Sequence, residues 1–203
     1  MEKIEKAAEK IFFTSDVHFE HEWLLEFNNR PYSTKEEMNQ ALIDNWNKTV
    51  PQDGLTYVLG DIGYTSNEKI IEFFNQLNGE KILIRGNHDS DFTEETLQTI
   101  FKEIHDIHYI QITDPRTSTS HNIVLCHFPM LDWEDSYNGS WQLFGHLHTR
   151  NIPAFNIVKT NLSNQQYDVG VDANNFRPIS FYEVKAIIEN QKNDRSFRDS
   201  IYF

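Results

Sequence analysis

The sequence predicts an α/β fold of two packed sheets with helices outside, and three observations predict it. The first half alternates short apolar runs with helix-periodic segments, the pattern of a sheet covered by helices. The second half is rich in β-type runs with turn residues between them, until a helical pattern returns near the C-terminus. No Pro/Gly/Ser-rich linker, internal repeat or low-complexity block separates the halves, so residues 1–203 read as a single domain.

In chain order, KIEKAAEK within residues 1–10 reads as a lead-in helix or a frayed terminus, because good helix formers there have little to bury. IFFTSD reads as a strand. STKEEMNQALIDNWNKTV follows as a helix, with Ser33 and Glu36 at capping-box spacing and Leu42, Ile43 and Trp46 on an apolar face. GLTYVLGD is a strand leaving a Gly turn, and SNEKIIEFFNQLNG is a helix from a polar cap to Gly79. KILIRGNHD is a strand and TEETLQTIFKEI a helix. IHDIHYIQIT, HNIVLCHF, WQLFGH and QYDVGVD supply the β-rich half, and PISFYEVKAIIENQK closes it as a helix.

Composition removes several classes of function. Eighteen basic against thirty-one acidic side chains give a formal charge of −13, which disfavours unaided binding to nucleic acid or an anionic membrane. Carboxylates that hold cations are locally neutralised, so the site itself can still attract an anion. Cys126 is the only cysteine, which excludes an intrachain disulfide and fits a reducing compartment. Ile11 to Phe13 is too short for a signal or a membrane span, so the expected location is the cytoplasm.

Five segments end alike, in an apolar run followed by Asp, His or Asn: IFFTSDVH (Asp16, His18), YVLGD (Asp61), ILIRGNHD (Asn87, His88, Asp89), IVLCH (His127) and LFGHLH (His146, His148). Loops at strand ends are where α/β scaffolds build sites. Gly60, Gly86 and Gly145 each precede one of these polar residues, which suits a chain that turns sharply or passes close to a ligand. Taken singly, each ending has a structural explanation: a surface histidine, a helix cap, a Gly-Asp turn. GHLH alone could be a metal site, an acid/base pair or a coincidence. The recurrence decides for chemistry. Carboxylate, imidazole and amide oxygen without a thiolate set suit Mn²⁺, Fe or Zn²⁺. The candidates are too many for one ion but suit two, about 3.5–4 Å apart, the clamp used for displacement at phosphorus.

The ordered set DVH, GD, GNHD, H, GHLH resembles the calcineurin-like metallophosphoesterase superfamily, whose pattern is D-x-H, G-D, G-N-H-[DE], H, G-H-x-H, and is similar to its small stand-alone bacterial and phage members. The resemblance spans Asp16 to His148, and YDVGVDANNFRPISFYEV looks like the closing strand and helix. It implies a four-layer α/β/β/α sandwich and a dinuclear phosphohydrolase that cleaves a phosphodiester or phosphomonoester by in-line attack of a metal-bridging hydroxide. It further implies that Asp16, His18 and His148 hold the first metal, that Asp61 bridges, and that Asn87, His127 and His146 complete the second. Manganese leads the expected cofactors, with Fe, Zn or Ni as alternatives. His88 matches the phosphate binder and general acid, and Asp89 is expected to fix its orientation or tautomer. A non-catalytic scaffold of the same fold and a nuclease are the alternative readings. A small phosphate ester or nucleotide is the expected substrate.

Other residues carry weaker claims. His21 reads as a solvated histidine near a helix start rather than a wall of the site. Arg30 reads as a surface ion pair rather than a phosphate clamp. Trp133, Tyr137 and Trp141 read as packing rather than a stacking surface. Asp172 and Arg177 read as a structural loop pair, and His105, His108 and His121 receive no chemistry.

Overall fold

The computed structural model describes residues 1–149 and 162–193. Two mixed sheets pack face to face and are flanked by helices. The first sheet has the order β10-β2-β3-β4-β5, built from Ile179–Ser180 (β10), Ile11–Thr14 (β2), Leu55–Val58 (β3), Glu80–Ile84 (β4) and Glu103–His105 (β5). β2 to β5 run parallel, and β10 pairs antiparallel with β2. The second sheet has the order β1-β6-β7-β8-β9, from Glu2–Lys3 (β1), Ile107–Asp114 (β6), Thr119–Cys126 (β7), Trp141–Phe144 (β8) and Gln166–Asp168 (β9). Here β6 and β7 are antiparallel, while β1 with β6, β7 with β8 and β8 with β9 are parallel.

Alternation along the strands divides the core into two layers. Ile11 and Phe13 of β2, Tyr57 of β3 and Ile82 and Ile84 of β4 face the other sheet, where Ile110, Ile112, Ile123, Leu125 and Leu143 meet them. Phe12, Val58 and Leu83, one residue out of step, pack instead against α2 (Lys35–Thr49), α3 (Asn67–Asn75) and α4 (Glu94–Ile100) through Met38, Leu42, Trp46, Phe73, Phe74 and Leu97. A short α1 (Trp23–Phe27) lies between β2 and α2, and α5 (Phe181–Asn193) closes the described chain. No helix among the described residues is long and apolar enough to cross a membrane.

Two local expectations change. KIEKAAEK is not a helix: Glu2–Lys3 pairs with β6 and only Ala8–Lys10 makes a single helical turn of the tight three-residue type. A free sheet edge overrides weak helix propensity there. The cap of α2 lies one residue later than read. Thr34 accepts from the Glu37 amide, and Glu37 reaches back to the Ser33 amide, so Thr34 and Glu37 form the reciprocal pair.

Candidate metal centre

The parallel strands deliver their C-terminal loops to one place. The Asp16 amide bonds to Gly60 O and the His18 amide to Asp61 O, tying the loop after β2 to the loop after β3. The Gly145 amide bonds to His127 O and does the same between β8 and β7. These loops turn so sharply that Asp16, His18, Asp61, His146 and His148 all have left-handed φ, between 46° and 69°. For a non-glycine residue that conformation costs about 1–2 kcal/mol, and such residues gather where a site over-determines the backbone. Gly86 serves closeness rather than φ. A Cβ there would collide with Asp61 Oδ1 and sit 2.6 Å from the Asp61 amide nitrogen.

Two donor groups result. Asp16, His18 and His148 form one and Asp61, His127 and His146 the other, each with its donor atoms within 4.8 Å of one another, so that either could hold a metal ion. His146 and His148 therefore part company: their imidazoles belong to different groups, although the His146 amide also caps the Asp16 carboxylate at 2.9 and 3.1 Å. Asp61 joins the groups, with Oδ2 3.5 Å from His18 Nε2 and 3.6 Å from His127 Nε2. Asn87 Oδ1 stands 3.1 Å from His127 Nε2.

The surroundings prepare the donors. His127 Nδ1 is 2.6 Å from Leu59 O, a group that only accepts, so Nδ1 carries the proton and Nε2 faces the site with a lone pair. His148 Nδ1 likewise donates to Asp172 Oδ2 at 2.8 Å, which leaves its Nε2 3.7 Å from Asp16 Oδ1. Asp172 is itself held by Arg30, through Nε to Oδ1 at 3.0 Å and Nη2 to Oδ2 at 2.8 Å. Arg30 also donates to Asp16 O and Val17 O, so one guanidinium braces both the loop that carries Asp16 and the partner of His148. Carboxylate support behind a ligating histidine fixes its orientation and raises its basicity.

The electrostatics of these groups suit a bound cation. Burial raises the Asp16 carboxyl above its ordinary range and pushes His18 well below the ordinary imidazole value, with His148 and Arg30 adding to the latter. His148 is raised: burial opposes its charge, but Asp16 and Asp172 outweigh burial. Burial also works against the Asp172 charge, yet Arg30 and His148 hold that carboxyl down at about 2. His18 Nε2 is buried without a hydrogen-bond partner among the described residues. An orphaned nitrogen beside carboxylates, in a set of oxygen and imidazole donors with no thiolate, fits a divalent cation of the Mn, Fe or Zn kind.

Several sequence expectations meet a different geometry. Asp89 is fully buried, and its carboxylate accepts from the amides of Asp61, Ile62 and Gly86 at 3.1, 3.0 and 2.7 Å. It clamps the loops after β3 and β4 together. Arg30 is ion-paired as read, but in the interior rather than at the surface. Asp172 pairs with Arg30 and His148, whereas Arg177 pairs with Glu183, so those two loop residues are not partners. His21 lines the site: its Nδ1 is 3.3 Å from His18 Nδ1, and its ring stacks on Tyr64 at 4.9 Å. Trp133 and Trp141 are buried in packing, and Tyr137 is exposed. His88 is exposed at the rim, with its ring 5.7 Å from that of His18 and its amide on Asp61 Oδ1 at 3.0 Å. A cleft of about 390 Å³ runs from these donors to a wall of His21, Trp23, Phe27 and Tyr64, the last three more than half exposed.

Comparison with known proteins bears on the family and the fold. Residues 9–112 match the family described as calcineurin-like phosphoesterase. The uncharacterized protein MJ1445 of Methanocaldococcus jannaschii is 32% identical over 192 residues, covering 94% of this chain and 97% of its own. The Gene 66 protein of Mycobacterium phage L5 is 26% identical over 184 residues, covering 80% and 86%. Among solved structures, the protein of unknown function AQ665 from Aquifex aeolicus superposes with a TM-score of 0.66 at 25% identity, covering 87% of this chain and 98% of its own.

Proposed function

We propose that this chain, which belongs to the calcineurin-like phosphoesterase family, hydrolyses a small phosphodiester or phosphomonoester at a centre for two divalent cations, manganese foremost. The observation that carries the reading is the position of Asp61 Oδ2, almost equidistant from a histidine of each donor group. Asp16, His18 and His148 would hold one ion, Asn87, His127 and His146 the other, and Asp61 both. When bound, such a pair neutralises phosphate oxygens and lowers the pKa of a water for in-line attack at phosphorus.

The protein's own groups then have distinct tasks. His127 and His148 present Nε2 because their Nδ1–H groups donate to Leu59 O and Asp172. His88, on the loop pinned to Asp61, reaches over the rim to donate a hydrogen bond to a phosphate oxygen and a proton to the leaving oxygen. Asp89 holds that loop at fixed distance from Asp61. The Trp23–Phe27 stack, with centroids 4.1 Å apart, and the His21–Tyr64 stack give the leaving group a flat aromatic wall. A planar leaving group such as a nucleoside or an aryl alcohol suits that wall.

Among the described residues no lysine or arginine lines this cleft, and the chain is strongly acidic. A polynucleotide would need several phosphate contacts, and the described lining of the cleft offers none from a cationic side chain. The lone, buried Cys126 is consistent with a cytoplasmic location.

The test is a panel under Mn²⁺ of bis-p-nitrophenyl phosphate, p-nitrophenyl phosphate, cyclic nucleotides and single-stranded DNA. Metal-dependent turnover of the small esters is expected, and Trp23→Ala should raise KM for aryl and nucleoside esters more than for alkyl esters. Turnover confined to DNA would make the protein a nuclease. No turnover of any ester would make it a scaffold.

A further inference from the structure

We propose that Glu103, His105 and His108, with Glu2, form a separate site for one divalent cation of the zinc type at the open edge of the sandwich. β5 is the edge strand of its sheet, and its register sets Glu103 beside Ile82 and His105 beside Ile84. Those isoleucines face the space between the sheets, so Glu103 and His105 face it too. On the opposite sheet His108 alternates with Ile110 and Ile112, which face the same space. Where the inter-sheet layer elsewhere has Ile, Leu and Tyr, these three positions have Glu, His and His. His108 is buried and Glu103 and His105 are half-buried at the rim of that layer, where polar groups need partners.

The donor atoms converge as a coordination shell does. Those of Glu103, His105 and His108 lie within 4.8 Å of one another. His105 Nε2 is 3.2 Å from Glu103 Oε2, and His108 Nε2 is 2.9 Å from Glu2 Oε2. A tetrahedral zinc with bonds of about 2.1 Å has ligand-to-ligand edges of about 3.4 Å, close to both separations. Glu103, His105 and His108 would supply three ligands without a thiol, and a turn of the exposed Glu2 side chain, now 2.9 Å from His108 Nε2, would bring a fourth. Of the lysines that line the adjoining cavity, Lys6 and Lys102 both pair with Glu80.

A second observation points into the same space. The Tyr57 side chain is fully buried, yet its hydroxyl has no hydrogen-bond partner among the described residues. Its ring is 6.1 Å from that of His108, and it lines a cavity of about 360 Å³ together with Glu2 and Glu103. A buried hydroxyl is normally satisfied, so this one marks a place where a polar guest belongs. The consequence is mechanical. β1 is only Glu2–Lys3, and a cation held by Glu2 would fasten it where the chain crosses from β5 to β6.

The experiment compares the zinc content of the full chain with that of His105→Ala/His108→Ala after equilibration with Zn²⁺ and removal of excess. The double variant is expected to hold one equivalent less and to keep the Mn²⁺-dependent phosphoesterase rate of the parent. Equal zinc in both proteins would overturn the site and leave these side chains as inward charges that guard a sheet edge. Glu103→Gln covers a double variant that does not fold: its zinc affinity should fall at least the roughly tenfold typical of outer-shell losses. Unchanged affinity would also overturn the site. Neither outcome depends on hydrolysis, so failure of the proposed function and failure of this site are told apart.

Discussion

Asp172→Asn tests how the first donor group is braced. Arg30 and Asp172 side chains are 0% and 1% exposed, and their contact is bidentate. The substitution keeps the shape but leaves the guanidinium buried with only neutral acceptors: Asp16 O, Val17 O, Met38 Sδ and the new amide oxygen. Removing one partner of a buried pair costs about 3–5 kcal/mol. Asparagine retains one acceptor, so the loss should fall near about 3 kcal/mol. For a chain of this length each kcal/mol moves Tm by about 2–4 °C, so a drop of about 6–12 °C is expected. His148 loses its charged partner at the same time, and Mn²⁺ affinity should weaken by about 10–100-fold. Thermal unfolding of the metal-free protein and chelator competition for Mn²⁺ measure the two effects separately. Arg177→Ala is the control: its pair with Glu183 is partly exposed and should contribute less than about 1 kcal/mol. A Tm shift below about 2 °C for Asp172→Asn, with unchanged Mn²⁺ affinity, would refute the bracing role.

His88→Asn should keep both metals and slow esters with poor leaving groups most, by about 10²–10⁴-fold; equal loss across leaving groups would limit His88 to binding phosphate. Gly86→Ala should reduce metal content, since its Cβ must displace the Asp61 carboxylate, and a fully loaded variant would contradict that contact. Glu183 caps α5 from its first turn, bonding the Ser180 amide at 2.9 Å and hydroxyl at 2.7 Å and Arg177 Nη2 at 2.6 Å. Burial opposes its charge, but Arg177 and Ser180 prevail and hold it down at about 2, from an ordinary 4.5. A carboxyl lowered on folding stabilises above its unfolded value, so this contribution is full above pH 4.5 and lost as pH falls toward about 2. Urea unfolding from about pH 6 to about pH 3 should therefore be flatter in Glu183→Gln than in the parent, and parallel curves would reject the assignment.

The donor residues were legible in the sequence because each ends an apolar strand, and parallel strands bring their ends together whatever the helices between them do. Their division between two groups, including the separation of His146 from His148, followed from the family resemblance, and the geometry has the same partition. What was not legible depends on distant pairing. Arg30 and Asp172 lie 142 residues apart, and no local pattern joins them. Asp89 sits next to His88 in sequence, which suggested contact, yet the turn aims its carboxylate at backbone amides instead. The packing of Trp133 and Trp141 was legible, and the aromatic wall of the cleft was not. Trp133 and Trp141 pack inside, while Trp23 and Phe27 form the wall because α1 turns both outward beside the cleft. A signal for the edge cluster was present, since Glu103 and His105 share the strand period of two, but the facing His108 belongs to the other sheet.

The central claim is that Asp61 joins two metal ions, and electron paramagnetic resonance of the Mn²⁺-loaded protein tests it most directly. A bridging carboxylate should give the spectrum of an exchange-coupled manganese pair, lost in Asp61→Ala together with turnover. A parent spectrum showing only the hyperfine sextet of isolated ions would contradict it.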